Sequence, residues 1–202
     1  TPNGIVREPT APNGAQWGAT QDNDGKMWFQ GGASGLPSYF QFPVHYGSFS
    51  VPNQFEKDFG IPWGAPVRVA DMQPGMRAVR MPDGSLNQVT GSANDIYRGD
   101  RLPADLVGDL IYGEPIGRIV RRVRPVVTEG LTQLRNAYLW NEFIKSTDPL
   151  FRPVDMATAP DGTLYIADMY RGIIQQATWS GPGTYLRARI DQYALDKVYG
   201  HG

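Results

Sequence analysis

Cysteine is absent from the 202 residues, which removes thiolate nucleophiles, disulfides, iron–sulfur clusters and, within this stretch, the CxxCH attachment of a c-type haem. Thiols therefore give no reading of the redox compartment. No apolar run approaches the ~18 residues of a membrane span. The opening Thr1-Pro2-Asn3-Gly4 carries neither an initiator Met nor a signal-peptide pattern, so the expectation is a mature product, a fragment or part of something longer. Charge of one sign is not in excess. With 19 basic and 20 acidic residues and a net charge of −1, the electrostatic footprint of a nucleic-acid binder is missing. Lysine is scarce. Only Lys26, Lys57, Lys145 and Lys197 stand against 15 arginines, a balance that favours fixed, planar contacts to carboxylate or phosphate over solvating charge. The length fits one large domain or two small ones and can bury roughly 70% of its unfolded surface, so no disulfide or structural metal is needed.

What is abundant is punctuation. Gly 24 and Pro 17 make up about a fifth of the chain, and long helices do not survive that spacing. Three segments share one pattern: Asp22-Asn23-Asp24-Gly25-Lys26-Met27-Trp28-Phe29, Met81-Pro82-Asp83-Gly84-Ser85-Leu86, and Ala159-Pro160-Asp161-Gly162-Thr163-Leu164-Tyr165-Ile166. In each, Asp-Gly is followed by one polar residue and then strand-type apolar residues. That is a hairpin signal, because Gly supplies positive φ and Asp bonds the amides of its own turn. In the third copy Val154–Thr158 enters, Leu164–Ala167 leaves, and Gly172-Ile173-Ile174-Gln175 reads as a third strand. Meanders recurring every several tens of residues are the signature of propeller blades.

The pattern predicts an all-β chain, part of a single β-propeller domain over residues 1–202, supplying about three to four blades of the four to eight that close a wheel. Further blades or a partner would then have to cover its sheet edges. Asp100 to Asp109, with Pro103 and an acidic first turn, suits a short inserted helix before the strands Leu110–Tyr112 and Arg118–Val123. Residues 185–198 lack Gly and Pro and place Leu186, Ile190, Tyr193, Ala194 and Val198 at helical spacing, which predicts one amphipathic helix. Gly31 to Pro66 reads as loop-dominated strand connections.

Several phrases carry a resemblance that periodicity does not: Ile96-Tyr97-Arg98-Gly99-Asp100-Arg101-Leu102-Pro103; Gly113-Glu114-Pro115 with Arg118-Ile119-Val120-Arg121-Arg122; Ser146-Thr147-Asp148-Pro149-Leu150-Phe151-Arg152-Pro153-Val154-Asp155; and Pro160-Asp161-Gly162-Thr163-Leu164-Tyr165-Ile166-Ala167-Asp168-Met169-Tyr170-Arg171-Gly172. Together they resemble the propeller of a family of membrane-bound dehydrogenase-type proteins common in planctomycetes, similar in turn to the quinoprotein glucose and sorbosone dehydrogenases. The likeness is specific over about residues 94–202 and loose over 1–93. It implies an exported protein, periplasmic or extracellular and associated with the membrane, with pyrroloquinoline quinone and calcium as cofactors and a c-type cytochrome domain or subunit as electron acceptor. The haem itself is not in this segment. The family name rests on sequence similarity, which locates a fold more firmly than a chemistry. Those dehydrogenases use a histidine base, and neither His45 nor His201 sits in a motif that matches it, so the catalytic base is unassigned.

Each candidate residue carries a functional and a structural reading. Arg152, before the first strand of the best-formed blade, either clamps an anionic cofactor group or ties neighbouring blades together. Asp155, expected to be buried within that strand, either ligates calcium or pairs with an arginine. Asp168 and Arg171 flank Met169-Tyr170, where an Asp commonly accepts the amides of its own turn; the alternatives are a metal ligand and a cofactor contact. Glu114, held extended by Pro115, is with Arg118 either a site acid and its partner or a structural pair. Asp22, Asn23 and Asp24 resemble the start of a calcium loop, but Ala33 stands where the bidentate Glu belongs, and a hairpin turn is the expectation. The run Arg118, Arg121, Arg122 and Arg124 reads as a solvated strand face, with docking to an acidic partner as the alternative. Trp28, Trp63, Trp140 and Trp179, with Tyr39, Phe40, Phe42 and Tyr46, either stack on sugars or fill blade cores.

Two functions follow as expectations. One is a sugar or alcohol oxidoreductase, in which Arg152, Glu114, Arg118 and Arg171 contact a quinone and Asp155 and Asp168 a cation. The other is a non-catalytic binding or scaffold propeller within an envelope or electron-transfer assembly.

Overall fold

The computed structural model describes residues 18–30, 37–39, 45–46, 49–50, 92–115, 117–128, 131–138, 141–173, 180–183 and 185–198. In chain order the strands are β1 (Ala19–Gln21), β2 (Met27–Gln30), β3 (Pro37–Tyr39), β4 (His45–Tyr46), β5 (Phe49–Ser50), β6 (Ser92–Ile96), β7 (Leu110–Glu114), β8 (Ile119–Thr128), β9 (Leu131–Asn136), β10 (Ile144–Lys145), β11 (Pro153–Thr158) and β12 (Leu164–Asp168). The α-helix α1 spans Tyr185–Tyr193. The chain is all-β with one short helix among the described residues.

Its strands form antiparallel sheets: β1-β2-β3; a five-stranded sheet in the order β10-β8-β7-β6, with β9 also on β8; β11-β12; and the short ladder β4-β5. Two of the three Asp-Gly segments are described, and both turn as their chemistry requires. Asp22 Oδ1 accepts the amides of Asp24 (3.0 Å) and Lys26 (2.8 Å), and its Oδ2 accepts Trp28 Nε1 at 2.8 Å. Both carboxylate oxygens thus serve the β1–β2 turn. Asp161 Oδ1 accepts the amide and hydroxyl of Thr163 at 3.0 and 2.6 Å, closing β11 onto β12. Gly162 is required twice: φ is +83°, and a Cβ would sit 2.0 Å from Asp100 Oδ1. The turn at Asp83-Gly84 lies outside the described residues.

The middle sheet is buried on both faces. Toward β1–β2, Trp28 packs with Ile96, Leu110, Tyr112 and Val123; toward β11–β12, Tyr97, Leu106, Ile111 and Val120 pack with Met156, flanked by Leu164 and Ile166. Strand alternation assigns Leu110 and Tyr112 to one layer and Ile111 to the other. Each fully buried aliphatic or aromatic side chain contributes about 1.5–3 kcal/mol, so the two layers hold the stack together. Trp28 is 1% exposed, which settles it as core; Trp63, Trp140, Trp179, Phe40 and Phe42 lie outside the described residues.

Polar links fix how the sheets meet. Strand β6 touches both neighbours, and Asp95 at its centre accepts Thr20 Oγ1 of β1 (3.3 Å) and the amide and hydroxyl of Thr158 of β11 (2.7 and 2.6 Å). At the end where β6 leaves the sheet, Tyr97 donates its hydroxyl to Gly162 O (2.7 Å) and accepts Leu102 N (3.0 Å). Arg101 donates to Gly162 O and Asp161 O, and Arg98 Nε donates to Asn23 Oδ1 at 3.0 Å. The two described Asp-Gly turns therefore flank one segment, residues 97–101, at the same end of the stack. Strand β8 serves three ladders: residues up to Val123 pair with β7, Ile119 and Val120 also pair with β10, and Val123 to Thr128 pair with β9. The resulting ribbon leans on the first sheet, with Lys26 Nζ donating to Thr132 Oγ1 at 2.8 Å and Leu134 packed against the Trp28 layer.

The structure departs from expectation in three places. The inserted helix is a 3-10 turn, Ala104–Leu106, opened by Pro103. The expected single helix over 185–198 stops at Tyr193: Ala194 has φ +50° and a 3-10 turn, Leu195–Lys197, follows, placing Leu195 against Gly172 and leaving Tyr193 and Val198 exposed. Gly172 and Ile173, expected to open a third strand, are not in a strand, and Ile174 and Gln175 lie outside the described residues.

Candidate functional site

Opposite the Asp-Gly turns, the other end of the stack gathers the β7–β8 turn, the segment before β11 and the exit of β12. Glu114 ends β7 fully buried, and its carboxylate accepts the amide of Gly117. Arg118, also buried, closes that turn with φ +62°, a left-handed conformation that costs a non-glycine residue of order 1–3 kcal/mol. Its carbonyl accepts Ser146 N at 3.1 Å and its guanidinium makes a long contact to Thr147 O, 3.5 Å.

Arg152 is 1% exposed and gathers carbonyls. Nη1 donates to Pro115 O and Phe151 O at 3.1 Å, and Nη2 to Gly172 O at 3.3 Å. Asp168 Oδ1 accepts the amides of Arg152 (2.7 Å) and Tyr170 (2.8 Å), while Met169 N returns a bond to Arg152 O. Tyr170 is the second left-handed residue here, φ +48°; the charge of Asp148, hydrogen-bonded to it, raises its phenol above the ordinary value. The phrases around Glu114, Arg152 and Asp168 thus form one knot, and both strained residues contact residues 146–148. Arg171 is exposed. Glu114, Arg118 and Arg152 lie buried at this end, and Arg171 is not buried with them.

A second polar layer adjoins this end. Arg121 Nε meets Glu142 Oε2 at 3.2 Å, with the side chains 1% and 0% exposed. Arg121 Nη1 donates to Tyr112 Oη at 2.9 Å, and its guanidinium lies 5.5 Å from the Tyr112 ring centroid. Burial pushes the Tyr112 phenol up to about 12. On the opposite face Arg122 meets Asp109 (2.5 Å) and Asp105 (3.0 Å), and Arg124 reaches the same two carboxylates at 3.4 and 3.3 Å. Burial holds the Asp109 carboxyl above its ordinary value although both arginines pull it down. The basic run is therefore not a solvated face: Arg118, Arg121 and Arg122 are buried, and Arg122 and Arg124 dock onto Asp105 of the 3-10 turn and Asp109 just before β7.

Asp155 corrects another expectation. It is exposed, not buried, because the register shift between Pro153 and Asp155 turns it outward; its Oδ1 accepts the amide of Met156 at 2.8 Å. Sequence reasoning missed Asp95, Tyr112 and Glu142. For Asp95 the signal is present, an acid between the apolar strand residues Ala93 and Ile96; Glu142 precedes a two-residue strand and leaves no such mark.

A calcium–quinone centre needs several convergent oxygen ligands and guanidinium faces turned to the ligand. Among the described residues no group of three or more His, Asp or Glu side chains could hold a metal ion. Asp168 caps the backbone amides of Arg152 and Tyr170, and Arg152 donates to the backbone carbonyls of Pro115, Phe151 and Gly172. His45 pairs with Ser50 in the β4–β5 ladder, its side chain outside the description; His201 lies outside the described residues.

The family model described as "Domain of unknown function (DUF7133)" matches residues 3–202. No curated protein matches the chain. A solved structure titled "glucose dehydrogenase" is similar at 16% identity, covering 76% of this chain and 58% of that one with a TM-score of 0.30, too low to carry weight. The chain spans 58% of that protein's length.

Proposed function

The chain belongs to the family described as domain of unknown function DUF7133, and we propose that it forms successive blades of a β-propeller in a dehydrogenase-like oxidoreductase. One observation carries the reading: the leading strands β1, β6 and β11 are linked in sequence by Thr20, Asp95 and Thr158, with equivalent turns at one end. Radial repetition of meander sheets produces that arrangement. The four phrases that resemble the planctomycete dehydrogenase-type family supply the chemical class: oxidation of a sugar or alcohol carbon in an exported protein, with electrons passed to a c-type cytochrome module. No described side chain is assigned a step. In this reading Glu114, Arg118 and Arg152 hold the rim, and Arg171 and Asp168 lie on its surface.

A second reading, a non-catalytic scaffold propeller, is favoured by the same arginine contacts, which are directed to protein carbonyls and carboxylates. The complete protein incubated with pyrroloquinoline quinone and calcium separates the two. Dye reduction with a sugar panel supports the oxidoreductase; absent turnover together with absent cofactor retention leaves the scaffold.

A further inference from the structure

Two polar groups buried between the first sheet and the middle sheet have complementary needs. Asn94 is 5% exposed and Tyr112 fully buried, and they stand directly opposite each other on β6 and β7, hence on the same face of the middle sheet. Asn94 Nδ2 donates to Trp28 O at 3.3 Å. A carbonyl only accepts, so the amide nitrogen faces Trp28 and Oδ1 faces elsewhere. That oxygen is buried and accepts no bond among the described residues. Tyr112 is short of an acceptor. Its hydroxyl oxygen accepts Arg121 Nη1 at 2.9 Å, but a guanidinium has donors only, and no other described group takes the phenol proton. Burial, which holds the phenol near 12, keeps that proton in place at ordinary pH.

We infer that one ordered water molecule is bound between Asn94 and Tyr112, accepting the Tyr112 hydroxyl proton and donating to Asn94 Oδ1. Buried polar groups are satisfied by protein or by water, and a water held by two or more such groups is an ordinary part of a folded interior. Directly opposite side chains on neighbouring strands start about 4.5–5.5 Å apart, so both groups open into the same layer between the sheets. The ladder irregularity between Ser92 and Asn94 loosens the backbone beside them. The water completes a hydrogen-bonded row: Glu142 to Arg121 on β8, Arg121 to Tyr112 on β7, Tyr112 through the water to Asn94 on β6, and Asn94 to Trp28 O on β2. A buried ion pair of the middle sheet is thereby joined to the main chain of the first sheet. The site stands apart from the proposed function and holds under either of its readings.

High-resolution crystal structures of the complete protein and of its Tyr112→Phe variant test it. In the parent, one density peak is expected within about 2.5–3.2 Å of both Asn94 Oδ1 and Tyr112 Oη. Tyr112→Phe keeps the ring and removes only the hydroxyl, so the peak should disappear while Asn94 Nδ2 stays on Trp28 O. A parent without the peak, or with a peak that touches only one of the two groups, overturns the inference. So does a Tyr112 hydroxyl that donates directly to a protein acceptor. A peak unchanged in Tyr112→Phe also overturns it, because the water is then held by other groups. Failure of dye reduction with the peak in place would remove the oxidoreductase chemistry and leave this site assigned.

Discussion

Replacing Asp95 should uncouple three sheets at once, and the geometry grades the effect. Its carboxylate accepts two short bonds from Thr158, 2.7 and 2.6 Å, and one longer bond from Thr20, 3.3 Å. Hydrogen bonds to a charged group are worth about 1.5–3 kcal/mol each, and losing the acceptor leaves the Thr158 amide and hydroxyl to find new partners. Asp95 is half-buried, so water recovers part of this. Asp95→Ala should cost about 3–4 kcal/mol, Thr158→Val about 1–1.5, and Thr20→Val under about 0.5. The informative quantity is the coupling measured by urea unfolding of single and double variants. Asp95 with Thr158 should couple by about 1–2 kcal/mol, and Asp95 with Thr20 by less than about 0.5. Additivity of Asp95→Ala and Thr158→Val, or a Thr20 coupling larger than that of Thr158, would refute the stacking of β6 between β1 and β11.

Further outcomes follow from other contacts. Arg121→Met or Glu142→Gln alone leaves a buried charge without its partner and should cost about 3–5 kcal/mol, while Arg121→Met with Glu142→Leu should recover most of it; denaturant midpoints report both, and a double variant as unstable as either single one counts against the pair. Tyr112, held near 12 when folded against about 10 unfolded, adds stability that is fully present below pH 10 and is lost as pH rises toward 12, at about 1.4 kcal/mol per pH unit. Stability of Tyr112→Phe should therefore fall less steeply above pH 10 than that of the parent; identical slopes would show that Tyr112 titrates normally. Gly113→Ala places a Cβ 2.6 Å from Pro153 O and should cost about 1–3 kcal/mol with a lower melting temperature; an unchanged melting temperature would mean that β7 and β11 do not approach as described.

The legible part of the fold was local. Asp22 and Asp161 announce their turns because a carboxylate, two amides and a glycine within a few residues suffice. Strands β7, β8, β11 and β12 follow from short apolar runs between such turns. The illegible part depends on register. The hairpin that sets Ile111 opposite Arg122 carries the basic run back to Asp105 and Asp109, and strand alternation alone cannot show that. Asp155 faces outward where strand alternation predicts burial, because one irregularity after Pro153 reverses parity. Ala194 is the best of helix formers by propensity, yet the chain turns there and Leu195 reaches Gly172. At the candidate site, Glu114, Arg118 and Arg152 are legible as residue types, but their contacts to Gly117 N, Thr147 O, Pro115 O, Phe151 O and Gly172 O are to main-chain atoms, which leave no trace in a list of side chains.

Strand β8, ten residues long, acts as a ruler shared by the body of the middle sheet and its outlying strand β9. Its first half fixes the middle sheet through β7, and its second half fixes β9, whose Thr132 and Leu134 grip the neighbour. A single residue inserted near Arg124 would invert every following side chain, sending Thr132 and Leu134 to solvent while leaving the first half untouched. Drift in length at this strand is therefore penalised far more than substitution along it. Lineages that vary the chain should keep its count constant even where its letters change.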